Sequence, residues 1–163
     1  MKLYSLLVTL LIIAGCFSAE PQKTGKEGKP MPEFKLLLTD STTTVNISKQ
    51  SVKRPIVLFY YSPFCPHCKA QTKEIIEDID KLKNIQIYFV SQFPIPTIRE
   101  YSKEFQLAKY PNIIAGMDVS KSVGDYFEII GVPYIAIYSK DKKLNKSFLG
   151  EIYSSQIKKI AEE

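Results

Sequence analysis

Ile56-Val57-Leu58-Phe59-Tyr60-Tyr61 runs through Ser62-Pro63-Phe64 into Cys65-Pro66-His67-Cys68, and this stretch decides the fold. Six apolar or aromatic residues in a row, rich in β-formers, predict a buried strand. Beyond the cysteines, Ile75, Ile76, Ile79 and Leu82 recur at the spacing of one helix face. Two thiols separated by two residues, opening a helix after a buried strand, form a thiol–disulfide exchange site. Pro66 suits the first helical position, where a missing N–H needs no partner. Cys65 at the helix N-terminus meets free backbone N–H groups and the positive end of the helix dipole. Cys68, three residues on, shares its helix face. Cys65 is therefore expected to be exposed and to attack, and Cys68 to be buried and to resolve. His67 adds a donor or positive charge that stabilises the thiolate; the alternative is an exposed spacer.

The other uses of such a pair fit less well. A structural disulfide gains most by closing a long loop, and one spanning two residues constrains little. A zinc site needs further ligands, and the one histidine sits between the two cysteines. No metal or other cofactor is expected.

Working toward the N-terminus, Lys2 precedes an apolar run from Leu3 to Ala14, the length of a signal-peptide core. A membrane-spanning helix needs about 20 apolar residues. The run ends Ile12-Ile13-Ala14-Gly15-Cys16, which resembles the lipobox of bacterial lipoproteins. The resemblance implies acylation of Cys16 as the first mature residue; the alternative is an ordinary signal cut nearby, for example after Ala19. Acylation would leave Cys65 and Cys68 as the cysteines of an exported domain, where disulfides are permitted. Residues 1–15 are thus read as signal peptide, and 16–30, with Pro21, Gly25, Gly28 and Pro30, as lipidated cysteine and flexible tether. Residues 31–163 are read as one domain. The charge of +5 comes from scattered lysines, without the basic, aromatic-interleaved cluster of a nucleic-acid binder.

Along the domain, Glu33–Leu38 and Thr43–Ile47 predict a hairpin about a turn at Asp40–Thr42. Ser48 caps a short helical turn through Lys53. Ile85–Val90 is a strand, and Thr97 caps a helix through Leu107. Asn112–Gly116 is a strand and Val119–Phe127 a helix. Tyr134–Ser139 and Lys146–Leu149 are strands about a turn at Lys140–Lys143. Ser154 caps a last helix. The alternation argues an α/β domain with an antiparallel pair near its end.

Gly131-Val132-Pro133-Tyr134 would by itself be an ordinary strand start. Together with the CxxC helix it resembles the thioredoxin superfamily, over roughly Met31 to Ala161. The resemblance implies a thioredoxin-like fold, a central mixed sheet flanked by helices. It also implies that Pro133 is a cis-proline facing the cysteines and keeping them from capturing metal. Val132 would pair its backbone with an extended substrate. The hairpin, and a helix and strand inserted before Pro133, resemble the membrane-tethered TlpA/ResA group. Phe64-Cys65-Pro66-His67-Cys68 and Gly131-Val132-Pro133 resemble the DsbA active site.

The chain departs from these relatives at three positions. Phe64 replaces Trp. Ile56 replaces a buried Asp, and Gln71 a Glu that TlpA/ResA proteins often carry. Glu74 could stand in for the missing acid, although a solvated carboxylate is the plainer reading.

The expected activity is a lipid-anchored thiol–disulfide oxidoreductase of the bacterial cell envelope. It would act as a monomer on protein or peptide dithiols and disulfides, with a membrane redox partner. The CPHC motif points to oxidation and the layout to reduction; reduction is the favoured direction. Two alternatives are a peroxiredoxin-like peroxidase, for which Ser62 lies three residues before Cys65 but Leu58 replaces a family Pro, and a copper-handling or redox-silent module, for which a distant His is missing.

Overall fold

The computed structural model describes residues 19–51 and 53–163. The signal peptide, the lipobox and Cys16 lie outside the described residues. Among the described residues, eight strands form one mixed sheet. They are β1 (Pro21–Gln22), β2 (Lys35–Leu38), β3 (Thr44–Asn46), β4 (Ile56–Tyr60), β5 (Gln86–Ser91), β6 (Ile113–Met117), β7 (Tyr134–Tyr138) and β8 (Leu144–Leu149). The spatial order is β1-β8-β7-β4-β5-β6-β2-β3. The helices are α1 (Pro66–Glu77), α2 (Ile95–Glu104), α3 (Ser122–Phe127) and α4 (Ser154–Ala161).

Strand β4 sits near the middle, parallel to β5 and antiparallel to β7. Its unbroken apolar run follows from burial on both faces. Val57 and Phe59, with Tyr61 beyond them, point into one core, with Phe89, Ile135 and Ile137 and with Cys68, Ile75, Tyr101 and Ile157 from α1, α2 and α4. Ile56, Leu58 and Tyr60 point into the other, with Phe34, Leu36, Ile47, Val90 and, from α3, Val123 and Phe127. Helix α2 and strand β6 are the helix and strand expected ahead of Pro133.

Residues 19–30 are not a free tether. Ala19 N donates to Glu151 O at 2.9 Å. Pro21 and Gln22 pair with Phe148 and Ser147. Gly28 N donates to Leu144 O at 2.7 Å, and Leu144 N to Lys29 O at 3.0 Å. The composition misleads because Gly25 and Gly28, at φ of +69° and +75°, form turns here. Glu27 closes that turn by accepting from the N and Oγ1 of Thr24 at 2.9 Å each. Those bonds, the backbone one foremost, hold its carboxyl at about 2. Pro21 is tolerated because β1 is an edge strand.

Helix starts differ from the sequence reading where proline or backbone does the capping. Pro94 is the N-cap of α2 and Pro96 lies in its first turn, ahead of Thr97, since first-turn N–H groups need no helical partner. The turn at Ser48 is a single 3-10 turn, Ile47–Lys49. Helix α3 starts at Ser122 rather than Val119. Tyr153, not Ser154, is the N-cap of α4.

Candidate active site

Cys65 follows β4 and is the N-cap of α1, with Pro66 as the first helical residue. Its Sγ accepts from Cys68 N at 3.4 Å, so a sulfur anion there would face the helix N-terminus. Cys65 is half-buried, Cys68 is buried, and both thiols are free. Burial above all pushes the Cys68 thiol well above the ordinary range, and the charge of Glu151 adds to it.

Pro133 comes to the motif because β7 pairs with β4, Tyr134 opposite Tyr60. The Val132–Pro133 bond is cis. Cys65 S–H donates to Val132 O at 3.6 Å. Cys65, Pro66, His67, Cys68, Val132 and Pro133 thus lie together in the structure.

Three supports were hidden from sequence reasoning. The first is Glu151, just beyond β8. Its Oε1 accepts from His67 Nδ1 at 2.6 Å. Its side chain is 11% exposed, against 72% for His67. Nothing local in the sequence links two residues this far apart.

The second is a hydroxyl pair beneath the motif. Tyr101 OH and Thr72 Oγ1 lie 2.6 Å apart and both are within hydrogen-bond distance of Cys68 O, at 3.2 and 2.9 Å, so that one hydroxyl hydrogen bridges the pair and the other is given to Cys68 O. They fix the backbone at Cys68.

The third is Asp118, which is buried. Its carboxylate accepts from Ser122 N and Val123 N at 2.9 Å each and from Ser122 Oγ at 3.1 Å, with a longer contact to Gly124 N. It thereby anchors the start of α3, the helix that leads through Glu128–Gly131 into Val132.

The acids considered from sequence behave differently. Gln71 is buried. Its Nε2 donates to Ile152 O at 3.0 Å and its Oε1 accepts from Ile152 N at 2.8 Å. Glu74 is half-buried, and its Oε1 accepts from Ser154 N at 3.0 Å, tying α1 to the start of α4. Among the described residues no cluster of three or more His, Cys, Asp or Glu could hold a metal.

Around the thiol, Phe64 is 71% exposed and meets Phe93 edge-on at 5.4 Å. A cavity of about 620 Å³ opens beside the Val132 loop, lined in part by Tyr60, Gln92, Lys121, Ile130 and Val132.

No curated protein matches the sequence. Among solved structures, the fold is similar to that of the peroxidoxin BcpB from Mycobacterium tuberculosis, with 15% identity over 84% of this chain and 96% of that one and a TM-score of 0.69. It is similar to the thioredoxin domain of a thiol-disulfide oxidoreductase from Bacteroides vulgatus, with 16% identity over 83% and 95% of the two chains and a TM-score of 0.65. A secreted disulfide oxidoreductase from Mycobacterium tuberculosis, homologous to E. coli DsbE, shares 12% identity over 80% and 96%, with a TM-score of 0.64. At these identities the likeness is one of fold, and the fold is thioredoxin-like. The sequence itself matches the Redoxin family over residues 26–162, a span that holds both cysteines and the cis-proline. The chain belongs to the Redoxin family.

Proposed function

We propose that this protein is a thiol–disulfide oxidoreductase of the bacterial cell envelope, acylated at Cys16, that reduces protein or peptide disulfides with electrons from a membrane partner. The observation that carries the exchange chemistry is the placement of Cys65 Sγ between the start of α1 and Val132 O, with Cys68 buried behind it on the same helix.

The cycle follows from that placement. The Cys65 thiolate attacks one sulfur of a substrate disulfide, forming a mixed disulfide and releasing one substrate thiolate. Cys68, deprotonated, attacks Cys65 Sγ. The Cys65–Cys68 disulfide forms, the second substrate thiolate leaves, and two electrons have passed to the substrate. A dithiol donor then reverses the reaction on the enzyme pair. The Val132 backbone lies where an extended substrate would pair beside the reacting sulfur. In the mature chain the folded body starts by Ala19, leaving Cys16 as the acylated end.

The inserted α2–β6 unit, shared with membrane-tethered reductants in the resemblance above, supports the reducing direction. Equilibration of the purified protein with glutathione tests both claims. The Cys65–Cys68 pair should titrate as one two-electron couple, nearer about −270 mV than about −120 mV. His67→Pro should move the potential further in the reducing direction, because it removes a group that favours the reduced thiolate. Failure to equilibrate with glutathione at all, with copper retained, would favour the binding-module reading. Peroxide consumption by Cys68→Ser would favour a peroxidase.

A further inference from the structure

The sheet has a polarity that the chemistry above does not use. Strands β4, β5 and β6 are parallel, so their C-terminal ends lie at one end of the sheet. Strand β7 is antiparallel to β4, so it starts at that end; β8, antiparallel to β7, finishes there. Strand β1 is antiparallel to β8, so it too starts there. This is the end that carries Cys65.

Exposed apolar bulk gathers at the same end. Among the described residues, four large hydrophobic side chains are exposed: Phe64, Val119, Ile130 and Tyr153. Phe64 follows β4, Val119 follows β6 and Ile130, 92% exposed, precedes β7. Tyr153 lies lower, at the start of α4 beside α1. The opposite end exposes Lys53, Lys83, Lys140 and Lys143 and, among the described residues, no large hydrophobic side chain; at the Cys65 end Lys121 and Glu128 are exposed near Ile130. Three large apolar side chains exposed at one end of the sheet and none at the other give the two ends different affinities for an apolar phase.

The chain also enters the folded body at the apolar end. Ala19 N is bonded to Glu151 O, and the Glu151 carboxylate is bonded to His67. Three residue steps separate Cys16 from Ala19, which even fully extended span no more than about 11 Å. Because residues 19–30 are docked, that short piece is the whole leash. The headgroup layer on one side of a bilayer is itself about 5–8 Å deep.

We propose that the end of the sheet bearing Cys65 is held against the membrane surface, with Phe64, Val119 and Ile130 in the headgroup layer, so that the thiols meet disulfides presented at the bilayer. This rests on the acylation of Cys16 proposed above. The membrane is the occupant favoured by the length and exit point of the leash; a soluble polypeptide on the same rim would need no such exit point.

The sequence contains no tryptophan, so single-tryptophan variants report position directly. The full acylated chain is reconstituted into phosphatidylcholine vesicles with brominated acyl chains, as Val119→Trp, Ile130→Trp and, at the opposite end, Asp141→Trp. Quenching at 119 and 130 should exceed that at 141 several-fold. With the protein bound to the vesicles, equal quenching at all three, or strongest quenching at 141, overturns the orientation. No quenching at 119 and 130 means that the rim serves a polypeptide, and overturns it as well. Vesicle flotation separates the two readings. The acylated chain should float and Cys16→Ser should not. If the two float alike, or neither floats, acylation fails and the orientation fails with it.

Discussion

Cys68→Ser should leave the protein covalently joined to its substrate. Cys65, the sulfur proposed to attack, is half-buried and faces Val132 O, so the first displacement needs nothing from the side chain at position 68. The second displacement needs a nucleophile held on the same turn of α1, and serine is not one for a disulfide. An intramolecular partner is worth many orders of magnitude in effective concentration. Turnover should therefore fall at least about a thousand-fold while the mixed disulfide accumulates, visible by non-reducing electrophoresis and mass spectrometry. Cys65→Ser should form no adduct and show no turnover. An adduct through Cys68 in that variant, with none through Cys65 in the other, would reverse the assigned roles. In the parent protein, burial holds the Cys68 thiol protonated well above its ordinary range, and only the thiolate attacks. Resolution should therefore quicken as pH rises, with the adduct longest-lived in acid.

The largest effect on stability outside the thiols is expected from Asp118→Ala. Its buried carboxylate satisfies the N–H groups of Ser122 and Val123 and the Ser122 hydroxyl. Each hydrogen bond to a charged acceptor is worth roughly 1.5–3 kcal/mol, and each orphaned buried donor costs about as much. Local relaxation lets some of these donors reach water, so a loss of about 3 kcal/mol is expected, a fall of roughly 10 °C in Tm for a domain of this size. Asp118→Asn should recover part of it, because one of its two side-chain atoms still accepts. Circular dichroism melts measure both; a loss below about 1 kcal/mol would show that α3 does not depend on this carboxylate. Helix α3 has six residues, too few to hold itself, and it delivers the loop that ends at Val132. Asp118→Ala should thus also slow exchange.

The central strand, the helix bearing the cysteines and the antiparallel pair near the chain's end were legible because local rules and burial agree there. Ile56–Tyr60 is apolar throughout because both faces of β4 are covered, and Pro66 opens α1 where proline is tolerated. What was not legible depends on partners remote in sequence. The docking of residues 19–30 is made largely by backbone groups, which carry no side-chain signature, and the glycines suggesting a tether are in fact its turns. Glu151 reaches His67 only because β8 finishes at the end of the sheet where α1 begins. Glu74 resembles any helix-surface carboxylate until the N-terminus of α4 is placed against it. The cis-proline was reached through family resemblance; Val132-Pro133 alone reads as a strand start.

Gln71 bears on how such an active site can evolve. Its amide gives one hydrogen to the carbonyl of Ile152 and takes one from the N–H of the same residue. A protonated glutamic acid has the same shape and offers the same donor and acceptor, whereas an ionised one would set a second acceptor against that carbonyl. The cradle around position 71 therefore already fits the acid form of a glutamate, and Gln and Glu codons differ by one nucleotide. A single base change would place a buried, proton-holding carboxyl three residues from Cys68, with the surrounding backbone left in place. The gap between a site without that proton donor and one that has it is, in this protein, one mutational step wide.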